Sequence, residues 1–258
     1  GIDQLGVVSV PSKSQMHRYT HWLPTEQLEE MIGGLLQSAM RSETQSGTNV
    51  LKLAHQIELD TVWVDATCVK ANIHFPVDWK LLGDATGTLM KATQLIREHG
   101  LKHRMEEPGV FQSRMNKLCI EMTHTRRKKD GKKERKRVLR KMKKLVKVVG
   151  KHAVRHRDLL KEHWEETDWS RGHVDQVIER IDNILVQLPE AIKQAHERII
   201  GQRQVKNEEK ILSLYEQEVR VIVRGKAGAE VEFGNTLFLG EQAQGLVVDW
   251  KLYEESAP

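Results

Sequence analysis

The chain carries one stretch that decides its fold class, DTVWVDATCVKANIHFPVDW at residues 60–79. The stretch is rich in valine and aromatic residues, which favour strands, and it has a carboxylate, Asp65, in its middle. We expect strand structure from about residue 59 to 75, as two short strands that Pro76 ends. An aspartate inside a strand packs poorly and is costly to desolvate, so it needs a partner: backbone donors, a basic side chain or a metal ion.

Alternation along the first strand predicts which of its side chains share a face. One face carries Asp65 with Thr61, Trp63 and Thr67, and the other carries Val62, Val64 and Ala66. We expect the aliphatic face to be core and Asp65 to point from the opposite face toward a possible site.

The positive charge of the chain is concentrated in one segment. The 258 residues carry a net charge of +5, yet fourteen cations face only two acids between Arg126 and Lys147. That segment is therefore +12 and the rest of the chain is −7, which favours a docking surface for a polyanion over general basicity. We predict contact with the backbone of double-stranded DNA, because the segment has no aromatic residue on which single-stranded bases could stack. Its cations are Arg126, Arg127, Lys128, Lys129, Lys132, Lys133, Arg135, Lys136, Arg137, Arg140, Lys141, Lys143, Lys144 and Lys147.

Two other features of composition exclude function classes. The two cysteines, Cys68 and Cys119, lack the spacing of a zinc module or a disulfide framework. No apolar run approaches the ~20 residues that span a bilayer, and the first residues lack a signal-peptide pattern. We therefore expect a cytoplasmic protein that makes no membrane contact.

The spacing of apolar residues predicts helices in the middle of the chain and strands near its end. Helical stripes are predicted at 24–40, 84–99, 111–122, 138–149 and 174–199, with breaks at Asp130-Gly131 and Gly150 and a kink at Pro189. Strands are predicted at 219–224, 230–233, 236–239 and 246–252, the last two elements forming a hairpin. A strand followed by helices and then by more strands is the order expected of a sheet into which a helical bundle is inserted.

Three stretches resemble a known family. DATCVKANIHFPVDWKLL, from Asp65, is similar to the first catalytic block of the Asp-Asp-Glu transposases of bacterial insertion sequences. EKILSLYE at 209–216 and VRGKAGAEVEFG at 223–234 resemble a later stretch of the same proteins. The resemblance covers most of the chain after about Asp60.

The resemblance implies an α/β fold, an RNase H-like mixed sheet interrupted by a large helical insertion. It implies an incomplete catalytic core at 59–83 and 212–258 and the insertion at 84–211 with its basic segment at 126–147. The helical spacing at 24–40 predicts an N-terminal helical region at 1–58 before them. The resemblance also implies Mg²⁺ or Mn²⁺ in a two-metal site, DNA cleavage and strand transfer at transposon ends and target, a nucleoid-associated location and a homodimer. Asp65 would be catalytic and the first metal ligand.

The chain departs from that pattern because the second Asp and the Glu are expected beyond Pro258. We therefore expect a fragment that is inactive by itself, and we interpret Asp249 as an ordinary strand residue. Arg224 and Lys226, in a glycine-rich turn that is not a P-loop, are predicted secondary DNA contacts. His152 and His156, four apart, are interpreted as surface or phosphate-contacting residues in preference to metal ligands.

Two other interpretations stay open at this point. The chain could be a helical DNA-binding module, or a decayed transposase, in which the strands serve only as a scaffold. A weaker alternative is an RNase H-type nuclease that cleaves DNA without joining it.

Overall fold

The computed structural model of this chain describes residues 24–40, 60–73, 75–125, 130–226, 229–242 and 247–253. Helices and strands are mixed along the chain, which confirms the mixed α/β class. The chain divides into two compact units, one of residues 1–67 and 237–251 and the other of residues 68–236 and 252–258. The domain bounds inferred from the sequence stay a prediction.

Helices dominate the middle of the chain. The α-helices of the described ranges are α1 (Thr25–Met40), α2 (Asp78–Glu98), α3 (Pro108–His124), α4 (Gly131–His163) and α5 (Arg171–His196). Shorter helical turns lie at Trp164–Glu166, Glu197–Gly201 and Asn207–Glu209.

Helices α2 to α5 share one hydrophobic core. Each buries a stripe of apolar side chains at three- and four-residue spacing, which is the pattern predicted for a helical bundle. Leu89 of α2, Met142 of α4 and Ile181 of α5 are completely buried in that core. Trp164 and Trp169, between α4 and α5, pack against the same core, as expected for a helix junction.

The ends of these helices follow from local sequence. Gly100 has φ +95° directly after α2, a left-handed conformation that glycine adopts without strain and that commonly ends a helix. Pro108 begins α3, where its missing N–H costs nothing. Ser170 caps α5 by accepting a hydrogen bond from the backbone N–H of His173. The break predicted at Asp130-Gly131 separates α3 from α4.

Two predicted helix bounds were wrong. Helix α2 begins at Asp78 rather than Asp84, only two residues after Pro76. Helix α4 does not stop at Gly150 but continues to His163. Gly150 is buried against α5, and a Cβ atom there would make ordinary contact with Leu185 at 3.7 Å, so this glycine lies inside the helix and does not end it.

The strands form a four-stranded sheet. They are β1 (Val62–Lys70), β2 (Arg220–Lys226), β3 (Ala229–Gln242) and β4 (Val247–Tyr253), and β3 pairs with the other three. Strands β2 and β3 are antiparallel, with Arg220 opposite Gly234 and Val223 opposite Val231. The predicted pairing of the last two strands is confirmed. The predictions of two short strands at 59–75 and of a break at 234–235 were wrong, because β1 and β3 are each continuous.

The predicted faces of β1 were wrong in one respect. Val62 and Val64 are 41% and 69% exposed, so they are not core residues. Alternation predicts which side chains share a face of a strand, but only the tertiary structure decides whether another layer covers that face.

A buried network of hydrogen bonds joins the beginning of the helical region to the segment that follows it. Nε2 of Gln194, near the end of α5, donates to Oδ1 of Asp78 at 3.0 Å and to the carbonyl of Ile211 at 3.1 Å. Its Oε1 accepts from the backbone N–H of Ile211 at 2.8 Å, and Nη1 of Arg198 also donates to Asp78 at 2.7 Å. The network therefore joins the first residue of α2 to the segment that leads into β2.

Replacing Gln194 with leucine should lower the free energy of unfolding by about 1–3 kcal/mol. The substitution leaves both backbone groups of Ile211 without their side-chain partner and removes a donor from the buried carboxylate of Asp78. Urea unfolding followed by circular dichroism measures the change. Gln176→Leu, at an exposed position of the same helix, is the matched control and should be near neutral; equal effects of the two variants would contradict this role of the network.

Candidate nucleic-acid interface

Helix α4 carries most of the predicted basic segment. From Arg135 to Arg157 it contains no aspartate or glutamate, and its apolar residues Val138, Leu139, Met142, Val146 and Val149 are fully buried. Because these apolar residues are buried, the basic side of the helix faces solvent.

Six exposed cations lie along one side of α4 and form what we call the α4 stripe. They are Lys133, Arg140, Lys144, Lys147, Lys151 and Arg155. At 100° per residue these positions fall within an arc of about 80°, and 22 residues at 1.5 Å each extend the stripe over about 33 Å. Within the described part of the chain, none of the six forms an ion pair with a carboxylate. Such a row of unneutralised cations suits a polyanion with regularly spaced charges.

Three other cations of the predicted segment are engaged within the protein. Arg137 forms ion pairs with Glu121 and Glu134. The guanidinium of Arg135 lies 5.8 Å from the centre of the Trp79 ring. Nζ of Lys143 lies 3.0 Å from Nδ1 of His196. These contacts make the three side chains less available to a ligand than the stripe.

The remaining predicted contacts divide into two groups. Lys132, Lys136 and Lys141 lie on α4 outside the arc of the stripe. Residues 126–129 lie outside the described residues, as do the side chains of Arg224 and Lys226, whose backbone forms part of β2.

Sequence reasoning missed two members of the stripe, Lys151 and Arg155. Both lie beyond Gly150, where the helix was expected to stop. Their spacing of four and eight residues from Lys147 would have placed them on the same side, had α4 been predicted at its full length.

Asp65 lies on β1 with an exposed side chain. Its Oδ1 accepts a hydrogen bond from the backbone N–H of Ala66 at 2.8 Å. It forms no ion pair with any basic side chain in the described ranges. The alternative that an arginine or lysine neutralises this carboxylate therefore finds no support there, whereas the backbone-donor alternative has one such contact.

The described residues do not supply a two-metal site by themselves. No group of three His, Cys, Asp or Glu side chains within the described part of the chain could hold a metal ion. Asp65 offers one carboxylate, and Mg²⁺ or Mn²⁺ bound by a single protein carboxylate would keep most of its water ligands. We therefore derive no chemical step through a metal, and the two-metal site stays a prediction.

Asp249 of β4 is locally similar to Asp65. It is exposed, and its Oδ1 accepts a hydrogen bond from the backbone N–H of Trp250 at 2.9 Å. An aspartate that bonds the next backbone N–H is thus found twice among these strands. That local contact does not by itself mark a catalytic residue.

Comparison with known proteins identifies no relative: no family model, curated protein or solved structure matches this chain. The likeness to transposases consequently depends on the three quoted stretches. None of the described helices has the length and apolar character needed to cross a membrane.

A groove of about 350 Å³ beside α2 and α3 contains the thiol of Cys119. Burial raises the pKa of Cys119 to about 11, and the nearby carboxylate of Asp84 adds to the rise. The thiol is therefore protonated at neutral pH and is not an activated nucleophile.

The interpretation of His156 as a surface residue was wrong. The side chain is completely buried, Nδ1 lies 2.8 Å from the carbonyl of His152, and Nε2 accepts from the backbone N–H of His103 at 3.4 Å. Both ring nitrogens are thus used, Nδ1 carries the proton, and no lone pair is left for a metal or a proton. Burial lowers the pKa of His156, and the positive charge of Arg97 lowers it further.

Stability should fall as the pH drops below the ordinary histidine pKa of 6.5. Below that value the unfolded chain binds a proton at His156 that the folded chain does not bind, so the free energy of unfolding declines by up to about 1.4 kcal/mol per pH unit. His156→Leu should flatten this part of the pH profile, although it lowers stability at neutral pH. Urea unfolding between pH 5.5 and 7.5 measures both effects.

The control for this profile is His124→Gln, which removes an exposed histidine at the end of α3. It should leave the pH dependence of the parent chain in place. A His156→Leu profile as steep as that of the parent chain would show that another group causes the loss.

Proposed function

We propose that this chain is part of an Asp-Asp-Glu DNA transposase that binds duplex DNA along helix α4 and supplies Asp65 as the first metal-binding carboxylate. The α4 stripe is the observation that carries the proposal. A surface built only for solubility has no need to gather six cations, none of them paired with a carboxylate of the described residues, on one side of a helix that has no acid over 23 residues.

The proposal includes an RNase H-like core for the strands. Its support is the mixed class of the fold and the placement of Asp65 on β1, which pairs with the long strand β3. It also includes the family's reaction, cleavage of a phosphodiester followed by attack of the freed 3′-hydroxyl on another strand. A homodimer and a nucleoid-associated cytoplasmic location belong to the same proposal.

The second candidate is a duplex-binding module without catalytic activity. The observation that supports it is the α4 stripe alone, because a row of cations binds duplex DNA whether or not Asp65 binds a metal. The two candidates share the DNA-binding face of α4, and they differ only in whether Asp65 has a chemical role.

In the natural protein, Asp65→Asn should reduce Mg²⁺- or Mn²⁺-dependent DNA strand cleavage at least 100-fold, because an amide is a far weaker ligand than a carboxylate for a hard cation. Asp249→Asn is the matched control, since it removes another exposed strand carboxylate with the same kind of backbone hydrogen bond. It should leave cleavage within about threefold of the parent protein. The measurement is cleavage of a labelled duplex at fixed metal concentration.

Equal cleavage by the parent protein and Asp65→Asn would remove this residue from the mechanism. Duplex binding without cleavage in either protein would favour the module without catalytic activity.

A triple variant tests the α4 stripe by replacing Lys144, Lys147 and Lys151 together with alanine. It should bind duplex DNA more weakly than the parent chain and with a smaller salt dependence. Each phosphate contact contributes about 0.9 to the slope of log K against log salt, so the slope should fall by about 2.7. Fluorescence anisotropy with a labelled 20-base-pair duplex at several salt concentrations gives that slope.

A control variant should remove the same charge from cations that have carboxylate partners. Lys161, Arg171 and Lys193 pair with Asp182, Asp175 and Glu190 respectively. Their joint replacement by alanine should change the slope by less than 1. If both triple variants lose the same slope, general charge rather than the stripe is responsible for binding.

A further inference from the structure

The side chains of the stripe decide how α4 can contact DNA. Between Lys133 and Arg155, the exposed positions within the arc hold lysine and arginine, with no asparagine, glutamine, serine, threonine or carboxylate, and the first carboxylates on that side of α4, Asp158 and Glu162, follow Arg155. Adenine is read by paired donors and acceptors of asparagine or glutamine, and cytosine by a carboxylate. Lysine and arginine can read guanine through O6 and N7, but only where the side chain reaches a base edge. Cations of a solvent-facing row that do not reach the bases contact phosphates, which carry no sequence information.

The length of the stripe also favours contact with phosphates over contact with base edges. About 33 Å corresponds to about ten base pairs at 3.4 Å each, which is close to one full turn of duplex. A straight helix cannot follow the floor of a groove around a full turn, so base edges are within reach of only a small part of it. Helices that do read sequence use three or four side chains near one end.

The N-terminal end of α4 is poorly suited to that kind of reading. Arg137 in its second turn is bound by Glu121 and Glu134, and Arg135 lies over Trp79. Two basic side chains of the first two turns are therefore occupied within the protein, whereas Lys132 and Lys133 are exposed there. The unpaired cations continue instead toward the other end, to Lys151 and Arg155.

We infer that α4 holds duplex DNA through its phosphates without regard to base sequence. The inference rests on the proposed function and narrows it: α4 contacts target or flanking DNA, whereas any recognition of a particular end sequence belongs to other residues. With six cations each neutralising one phosphate, the slope of log K against log salt is about −5.

The test compares two labelled 20-base-pair DNA duplexes of unrelated sequence, one rich in A·T and one in G·C, together with an RNA duplex of equal length. The chain should bind the two DNA duplexes with Kd values within about threefold of each other and with the same salt slope. The triple variant at Lys144, Lys147 and Lys151 should weaken binding to both duplexes by the same factor. The comparison of the two DNA duplexes uses the parent chain alone, so its result does not depend on whether the triple variant folds.

Five outcomes decide the inference. Equal binding to both DNA duplexes supports it, as does a preference that the triple variant leaves unchanged, because the readout then lies elsewhere. A preference above tenfold that the triple variant abolishes overturns sequence-independent binding but leaves DNA as the partner. Tighter binding to the RNA duplex overturns the assignment to DNA. Absence of salt-dependent binding to any duplex removes the proposed DNA function together with this inference.

Discussion

The hydrogen bonds of Gln194 are the constraint on which the arrangement of the helices depends. This amide joins Asp78, the first residue of α2, to Ile211, where the chain leaves the helices for the strands. Arg198 supplies the positive charge that pairs with the buried Asp78 carboxylate. A buried carboxylate and a buried amide are tolerated only when their hydrogen-bond partners are in place. This network therefore specifies how the start of α2 and the segment at Ile211 lie against α5, because apolar contacts have no such requirement for particular partners.

The position of that network explains how a helical region can lie between two strands. The chain enters α2 shortly after β1 and reaches β2 shortly after Ile211. Because Gln194 holds these two connections together, the 130 or so residues between them can pack around their own core. Helix α4, the longest of that region, buries its apolar side and turns the other side to solvent, so the six cations of the α4 stripe are placed by the packing of the helix.

Asp65 and the α4 stripe support function in different ways. The stripe is a physical argument, since a row of unneutralised cations attracts a polyanion whatever the family of the protein. Asp65 is chemically suited to bind a divalent cation, but its local hydrogen bond is of the same kind as that of Asp249. Its proposed role comes from the resemblance of the surrounding sequence to transposases. The DNA-binding and catalytic parts of the proposed function are consequently separable.

The sequence alone determined the helical stripes, the break at Asp130-Gly131, the end of α2 at Gly100 and the concentration of charge, because these depend on spacing and on single residues with strong local preferences. Tertiary packing decided what local rules leave open. It carried α4 through Gly150, which is buried against α5, it buried His156, which a surface interpretation had placed in solvent, and it left Val62 and Val64 exposed. Whether a residue is covered depends on residues far away in the sequence, and no periodicity along one element can report their positions.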